Sequence, residues 1–356
     1  MNNHTSAQTI LEQLLFPAFL VKEGAVIQAN QDALQRQVRL GDSVHDLISI
    51  GTEEYASFSG GRLCLTLQIS GITYSASVTT ADDCHLFTLD AVYEDPAMRA
   101  YALAAQQLRE PLSNAMLSTD LLLPNDTIQK DPEALRLVAQ VNRSIHQLLR
   151  AISNMSDAPI CRTQGYRMET CDIVSVFDEI LEKSTQLLSQ ANRTLQSDIP
   201  DKILLCLADR EKLERAVLNL LSNAAKFSPS GSAIRAQLRF STNRILFTVE
   251  NESDFIGTQN LFSRHLRQPG LDNEPSGIGL GMSIVQAVAA AHGGTVLVEH
   301  PENAGTRITM TLGIKKATGT TLRSPVYLPT DYAGGRDHAL LELADILPDE
   351  LFEQPF

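Results

Sequence analysis

The chain has 356 residues, too many for one ordinary domain of roughly 100–150 residues, and its length predicts two or three domains. A hydrophobic fraction of 43% and a charged fraction of 20% are typical of a globular protein and exclude a disordered chain as the default. The formal net charge of -13 argues against nucleic acid or an anionic membrane surface as the main partner, because like charges repel.

Cysteine usage and the N-terminal segment indicate the compartment. The five cysteines are odd in number and show no CxxC spacing, which favours reduced thiols over a disulfide framework or a zinc site. The apolar stretch 10–21 is interrupted by Glu12, Gln13 and Pro17, and it is shorter than the roughly 20 residues that span a bilayer. We therefore expect a cytoplasmic chain without a membrane span.

Short β-type runs separated by turn residues fill residues 8–94. Glu-Gly and Ser-Gly steps at 23–24 and 70–71 stand where hairpin turns would connect strands. The order of strands and a central helical stretch resembles a PAS sensor domain, including an Ala-Asn step at 29–30 where the second strand runs into a helix. A generic α+β module has the same shape, so both interpretations stay open.

Residues 95–158 change to helical periodicity. A Leu-Pro-Asn-Asp turn at 123–126 separates two helices, and Asp131 followed by Pro132 predicts the start of the second. Apolar residues recur along the second helix at the heptad spacing of a bundle, at Val138, Val141, Ile145, Leu148 and Ile152. A comparable stripe on the first helix comprises Leu108, Leu112, Ala115 and Leu122. Because two helices alone bury little surface, the pattern favours a four-helix bundle of two chains; a monomeric hairpin docked on a neighbouring domain is the alternative.

Residues 166–315 alternate strand and helix patterns and predict a mixed α/β layer. One helix carries Asn219, Asn223 and Lys226 at steps of four and three residues, so these side chains share a face. Two carboxamides and an ammonium there are able to ligate a hydrated divalent cation and hold phosphate oxygens, although a solvated helix face has the same composition. A Gly-Ile-Gly-Leu-Gly run at 277–281 then leads into a helix, which suits phosphate binding and, taken alone, also fits a tight turn.

Together these segments resemble the nucleotide-binding domain shared by histidine kinases, gyrase-type ATPases, Hsp90 chaperones and MutL. The similarity continues through Gly305-Thr306 and covers roughly residues 200–314. It implies an α/β-sandwich ATPase-like domain at 166–315, with ATP and Mg²⁺ as cofactors and the metal held by Asn219 and Asn223. The nucleotide-binding residues that it implies are Asn219, Asn223, Lys226, Asn251, Gly277, Gly279, Leu280, Gly281 and Thr306.

One departure from the family lies in this nucleotide site. Asn251 stands at the position of the family's adenine-binding aspartate, and Ser253 and Phe255 stand at two glycine positions. A carboxamide presents a carbonyl oxygen to adenine but lacks the charge that makes such a hydrogen bond roughly twice as strong. The departure predicts weakened or lost ATP binding.

A second departure lies in the first helix of the hairpin. The segment 106–112, Gln-Gln-Leu-Arg-Glu-Pro-Leu, resembles the family's phosphoacceptor segment His-Glu-Leu-Arg-Thr-Pro-Leu, with Gln106 at the histidine and Gln107 at the acid position. An amide nitrogen has its lone pair delocalised into the carbonyl and is not a nucleophile, whereas neutral imidazole is one. Phosphotransfer to Gln106 is therefore chemically closed, and no catalytic residue is expected to be intact. His146 on the second helix is another candidate acceptor, with a structural role as its alternative.

The chain is thus expected to be an α+β multidomain protein, with a PAS-like domain, a two-helix dimerisation hairpin, an ATPase-like domain and an acidic tail at 317–356. One hypothesis is a pseudokinase of two-component signalling that forms a homodimer through 95–158 and docks a response regulator or a competent histidine kinase. The other is an ATP-binding kinase that phosphorylates a partner protein, on serine or on a histidine supplied by a partner kinase. The tail either packs on the chain's own domains or is offered to a partner.

Overall fold

A computed structural model of the protein gives a mixed α+β architecture, which confirms the predicted fold class. The structure describes residues 11, 14, 16–81, 83–90, 96–160, 166–241, 243–252, 280–301, 305–315 and 337–354. No helix in this part of the chain combines the length and the low polarity that a bilayer crossing requires.

The N-terminal part is built from antiparallel strands with short helices between them. In chain order its elements are β1 (Ala18–Lys22), β2 (Ala25–Ala29), α1 (Gln31–Gln35), α2 (Val44–Leu47), β3 (Ile48–Ile50), α3 (Thr52–Ala56), β4 (Arg62–Ile69), β5 (Ile72–Ala81) and β6 (Cys84–Asp90). Both predicted hairpin turns are present. Glu23 and Gly24 have φ of 52° and 79°, and Ser70 and Gly71 have 50° and 82°, the two positive values that a tight turn between twisted strands requires.

Asn30 stabilises the connection between strand β2 and helix α1, where the sequence predicts that a strand runs into a helix. Its buried Oδ1 accepts hydrogen bonds from the backbone N–H groups of Ala18 and Ala33, each at 3.0 Å, and its Nδ2 donates to the carbonyl of Phe16 at 2.8 Å. One side chain therefore caps α1 and ties it to the start of β1.

Two long antiparallel helices form the central hairpin, α4 (Pro96–Leu122) and α6 (Pro132–Ile160), with the single turn α5 (Asp126–Gln129) between them. Asp131 caps α6 as predicted, because its Oδ1 accepts from the backbone N–H groups of Glu133 and Ala134 at 3.0 and 3.2 Å.

The predicted apolar stripes of the hairpin include both buried and exposed residues within a single chain. Leu112, Ile145 and Ile152 are buried, but Leu108, Ala115, Leu122, Val141 and Leu148 are exposed. The buried face instead comprises Ala105, Leu112, Met116, Ile145, Leu149 and Ile152. Burial of the remaining stripe residues in a four-helix bundle of two chains stays a prediction.

The C-terminal half alternates strands and helices over an apolar core. Its elements are β7 (Glu169–Asp172), α7 (Ile173–Gln190), β8 (Thr194–Asp198), β9 (Leu205–Ala208), α8 (Arg210–Phe227), β10 (Ala233–Phe240), β11 (Arg244–Asn251), α9 (Gly281–Ala291), β12 (Val296–Glu299) and β13 (Thr306–Gly313). The sequence patterns of this half predict helices at 173–189, 210–227 and 282–292 and strands at 203–209, 233–240, 244–251, 294–300 and 305–314, and all of these are present within a few residues. The short strands β7 and β8 were not predicted.

The two β-rich parts share one sheet. Eleven of the thirteen described strands form one sheet in the order β2-β1-β6-β5-β4-β12-β13-β11-β10-β8, with β3 also paired to β4, while β7 and β9 pair separately. The junction is an antiparallel pairing of β4 and β12, with Val298 opposite Arg62 and Val296 opposite Cys64. Gly61 lies at this junction with a φ of 82°, and a side chain there would overlap the backbone carbonyl of Val298. This pairing was not predicted.

The end of the chain packs on its own helices, which is one of the two arrangements considered for the tail. Helix α10 (His338–Leu343) and a 3-10 helix (Asp349–Phe352) lie against α6, and α10 also contacts α7 and α8. The buried apolar side chains of this segment are Leu340, Leu341, Leu343, Leu347 and Phe352.

Candidate functional site

Helix α8 carries the side chains that the sequence singles out for a nucleotide. Asp209 begins the helix by accepting the backbone N–H of Lys212 at 3.1 Å. Its apolar face enters the main core, so the polar side chains at 219, 223 and 226 are held at fixed positions beside that core. Asn219 is completely buried, whereas Asn223 and Lys226 are partly exposed.

Asn219 lies where α8 meets the start of α9. Its Nδ2 donates to the carbonyl of Arg215 at 2.9 Å, and its Oδ1 is buried without a hydrogen-bond partner among the described residues. A methyl group at Gly281 would overlap this Oδ1, so only glycine allows the start of α9 to come this close. The structure thus brings Asn219, Leu280 and Gly281 together. Gly277 and Gly279 lie outside the described residues.

Two further predicted residues meet at one end of the sheet. Asn251 and Thr306 are directly opposite each other in the pairing of β11 with β13, and both are buried. Asn251 Nδ2 donates to Ser228 Oγ at 3.1 Å, which leaves the side-chain carbonyl as its acceptor. Ser228 was not predicted; the Phe-Ser-Pro step that ends α8 is the signal that marks it.

His292 links the far ends of α8 and α9. Its Nε2 accepts the backbone N–H of Asp209 at 3.0 Å, and its Nδ1 lies 2.8 Å from the carbonyl of Val288. This arrangement requires a neutral ring that donates from Nδ1. Burial lowers the pKa of His292, in agreement with a neutral ring, despite the opposing effects of the Val288 carbonyl and Asp209.

The donor set at Asn219 and Asn223 fits Mg²⁺ held jointly with phosphates. Within the described ranges no group of three His, Cys, Asp or Glu side chains is placed to hold a metal ion. Mg²⁺ usually keeps several waters and takes few protein oxygens, with substrate phosphates completing its shell. The unpaired carbonyl oxygen of Asn219 and the partly exposed Asn223 match that kind of site.

Acidic side chains of the C-terminal segment reach the same helix. Asp345 Oδ2 lies 3.9 Å from Lys226 Nζ and accepts from Arg150 Nη1 at 2.8 Å. Glu342 is fully buried, and its Oε2 accepts from Arg150 Nε at 2.8 Å while its Oε1 lies 3.7 Å from Arg215 Nε. These contacts were not predicted, although acids at 342, 345 and 349 share one helical face by spacing.

The two candidate phosphoacceptor positions differ in accessibility. Gln106 and Gln107 are exposed on α4. His146 on α6 is completely buried, with Nδ1 2.8 Å from the carbonyl of Asn142 and its ring packed edge-on against Phe352 at a centroid distance of 5.2 Å. In this arrangement His146 has the environment of a packing residue.

Known proteins resemble this chain in sequence and in fold. The profile of the histidine kinase-, DNA gyrase B- and HSP90-like ATPases matches residues 208–316. The adaptive-response sensory kinase SasA of Synechocystis sp. is 27% identical over 69% of this chain and 68% of its own length. The sensor protein KdpD of Clostridium acetobutylicum is 23% identical over 54% of this chain, which spans 22% of that relative. A structure of full-length ShkA in complex with AMPPNP superposes with a TM-score of 0.50 at 19% identity, covering 62% of this chain and 46% of ShkA, and shows a common fold.

Proposed function

Because this chain belongs to the sensor histidine kinase family, we propose that it is a member without its own phosphoacceptor, which works in two-component signalling as a dimeric scaffold or regulator. The observation that carries this proposal is the pair Gln106 and Gln107, exposed at the family's acceptor and acid positions. An exposed carboxamide there has neither the nucleophilic nitrogen nor the neighbouring carboxylate that phosphotransfer needs.

We propose that the nucleotide site still takes ATP with Mg²⁺, although more weakly than a member with aspartate at position 251. The buried Asn219, the close approach at Gly281 and the pairing of Asn251 with Thr306 support this, because they keep the shape of the site. In this site Lys226 would hold phosphate oxygens and the Asn251 carbonyl would accept from the adenine amino group. The bound metal would neutralise charge on the phosphates.

The apolar surface that one hairpin leaves uncovered supports a homodimer through 95–158. Eight large apolar side chains of α4 and α6 are exposed, namely Leu103, Leu108, Leu117, Leu121, Leu122, Leu137, Val141 and Leu148. Apolar side chains concentrated on one helical hairpin are typical of an interaction face. A second hairpin packed on this face would complete a four-helix bundle.

The remaining roles rest on the same family membership. Residues 8–94 would act as the PAS-like sensor, and residues 166–315 as the ATPase-like domain. A response regulator or a competent histidine kinase would dock on the hairpin surface around the exposed Arg109.

Incubation with radiolabelled ATP and Mg²⁺ tests the loss of the acceptor. The pure protein should bind nucleotide and acquire no label, alone or with a response regulator. Acid-labile label on this chain would refute the proposal and identify another histidine as the acceptor. Label on the serine or histidine of an added partner would instead favour the alternative function, a kinase that phosphorylates other proteins.

The double variant Gln106→His with Gln107→Glu tests the position directly. Restoring both groups should permit acid-labile labelling of this chain, whereas Gln107→Glu alone, as the matched control, should remain unlabelled. A double variant that binds ATP and stays unlabelled would mean that the nucleotide and position 106 do not meet.

A further inference from the structure

The C-terminal segment 337–354 places its carboxylates on a cluster of cations between the hairpin and the nucleotide helix. Glu342 and Asp345 both bind Arg150 of α6, and the same two acids lie near Arg215 and Lys226 of α8. Farther along, Asp349 Oδ1 accepts from Arg143 Nη1 at 3.0 Å. The segment therefore joins α6 to α8 through opposite charges on both sides.

We propose that Asp345 is an internal competitor for nucleotide phosphate, so that segment 337–354 restrains nucleotide binding from within the chain. This inference rests on the proposed nucleotide site, since Lys226 is the cation expected to hold phosphate oxygens there. It adds a regulatory element that the family resemblance does not imply.

Position and charge support the competition. The Lys226 side chain is 13% exposed, so little of its ammonium is open to a second anion while Asp345 lies beside it. A phosphate that reached Lys226 would also come close to the Asp345 carboxylate, and two anions at such a distance repel each other strongly where water is scarce. Nucleotide binding and the present position of Asp345 should therefore be opposed.

The apolar anchors of the segment make the competition reversible. Leu341, Leu343 and Phe352 are completely buried, so the segment stays attached by hydrophobic contacts without any need for Asp345 at Lys226. Asp345 itself is partly exposed, with a quarter of its side chain open to solvent. A purely structural carboxylate that only neutralises Arg150 would leave nucleotide affinity unchanged, and this separates the two roles.

The test compares AMPPNP with Mg²⁺ binding to the full chain and to two variants by isothermal titration calorimetry. Asp345→Asn removes the competing charge and should tighten binding by about 5- to 150-fold, the usual range for coupling between two sites. Glu350→Gln removes the same charge from an exposed position of the same segment and should change binding by less than about twofold. Both variants retain the apolar anchors.

Hydrogen exchange supplies the reciprocal measurement. If phosphate and Asp345 compete, saturating AMPPNP must weaken the docking of the segment by the same factor, so amides at 338–347 should exchange faster in the wild-type chain. Unchanged or slower exchange at saturation would overturn the competition.

The outcomes distinguish this inference from the function on which it rests. Equal affinity of the wild-type chain and Asp345→Asn would overturn the competition and leave the nucleotide site standing. No binding to the wild-type chain or either variant at millimolar AMPPNP would overturn the nucleotide site, and the competition with it.

Discussion

Replacement of Glu342 by alanine tests how much the buried charges of the C-terminal segment contribute to stability. The Glu342 carboxylate is completely buried between Arg150, whose side chain is 11% exposed, and Arg215, which is fully buried. Removing it leaves two guanidinium groups in a poorly solvated interior without this counter-charge. Breaking a buried pair in this way costs about 3–5 kcal/mol, which is two orders of magnitude or more in an equilibrium constant.

The cost should appear first as opening of the segment, because 337–354 can separate without unfolding the whole protein. We expect amide protection in α10 to fall on the order of 100-fold or more in Glu342→Ala, measured by native-state hydrogen exchange. Urea unfolding should report a lower midpoint if the segment and the core unfold together. Glu350→Gln, an exposed control, should change stability by less than about 0.5 kcal/mol.

Equal protection of α10 in Glu342→Ala and in the control would refute this reasoning. It would mean that water reaches the two arginines when the carboxylate is removed. Their charges would then be solvated, and the carboxylate would not be needed to compensate for their burial. Apolar packing alone would then hold the segment.

Three other changes test separate features of the molecule. Gly281→Ala should force the buried Asn219 to move, destabilising the fold by about 1–3 kcal/mol and weakening AMPPNP binding; calorimetry that finds both unchanged would contradict the close approach. Because burial lowers the pKa of His292 below its ordinary 6.5, the unfolded chain takes up that proton more readily, and stability should fall as pH drops below about 6.5. His292→Gln should flatten this dependence in urea midpoints between about pH 8 and pH 5, and an unchanged slope would assign it to other groups. Leu148→Glu should convert a dimer to a monomer in sedimentation, because a charge enters the apolar hairpin face, and an unaltered dimer would exclude that face.

Local signals in the sequence were sufficient for much of the nucleotide half. Helix α8 begins and ends at the predicted residues, because Asp209 caps one end and the Ser-Pro step closes the other. Asn251 and Thr306, both named by the family resemblance, lie opposite each other in neighbouring strands. These features depend on neighbours in the chain or on a shared motif, which a sequence displays directly.

Contacts between distant segments could not be predicted in the same way. Helical spacing places residues on one stripe but does not say whether that stripe meets the other helix of the same chain or a second chain, so the exposure of Leu148 in a single chain could not be predicted. Predicting the docking of the tail would require matching its acids with arginines some 200 residues earlier in the chain. Asp345 and Glu342, for example, lie 195 and 192 residues after Arg150, to which both bind. In the sequence, each of these acids and arginines looks like an ordinary surface charge until its partner is known.

The pairing of β4 with β12 means that each half of the molecule covers a strand edge of the other half, which protects that edge from aggregation. Either strand alone would present a row of unpaired backbone N–H and C=O groups, flanked at β12 by the buried Val296 and Val298. Cutting the chain between the two halves would expose that edge on both pieces, and each would then tend to recruit a strand from a neighbour. A fragment that ends before β12, or one that begins after β4, therefore carries an unpaired strand edge that is prone to aggregation, whereas the intact chain pairs this edge within itself.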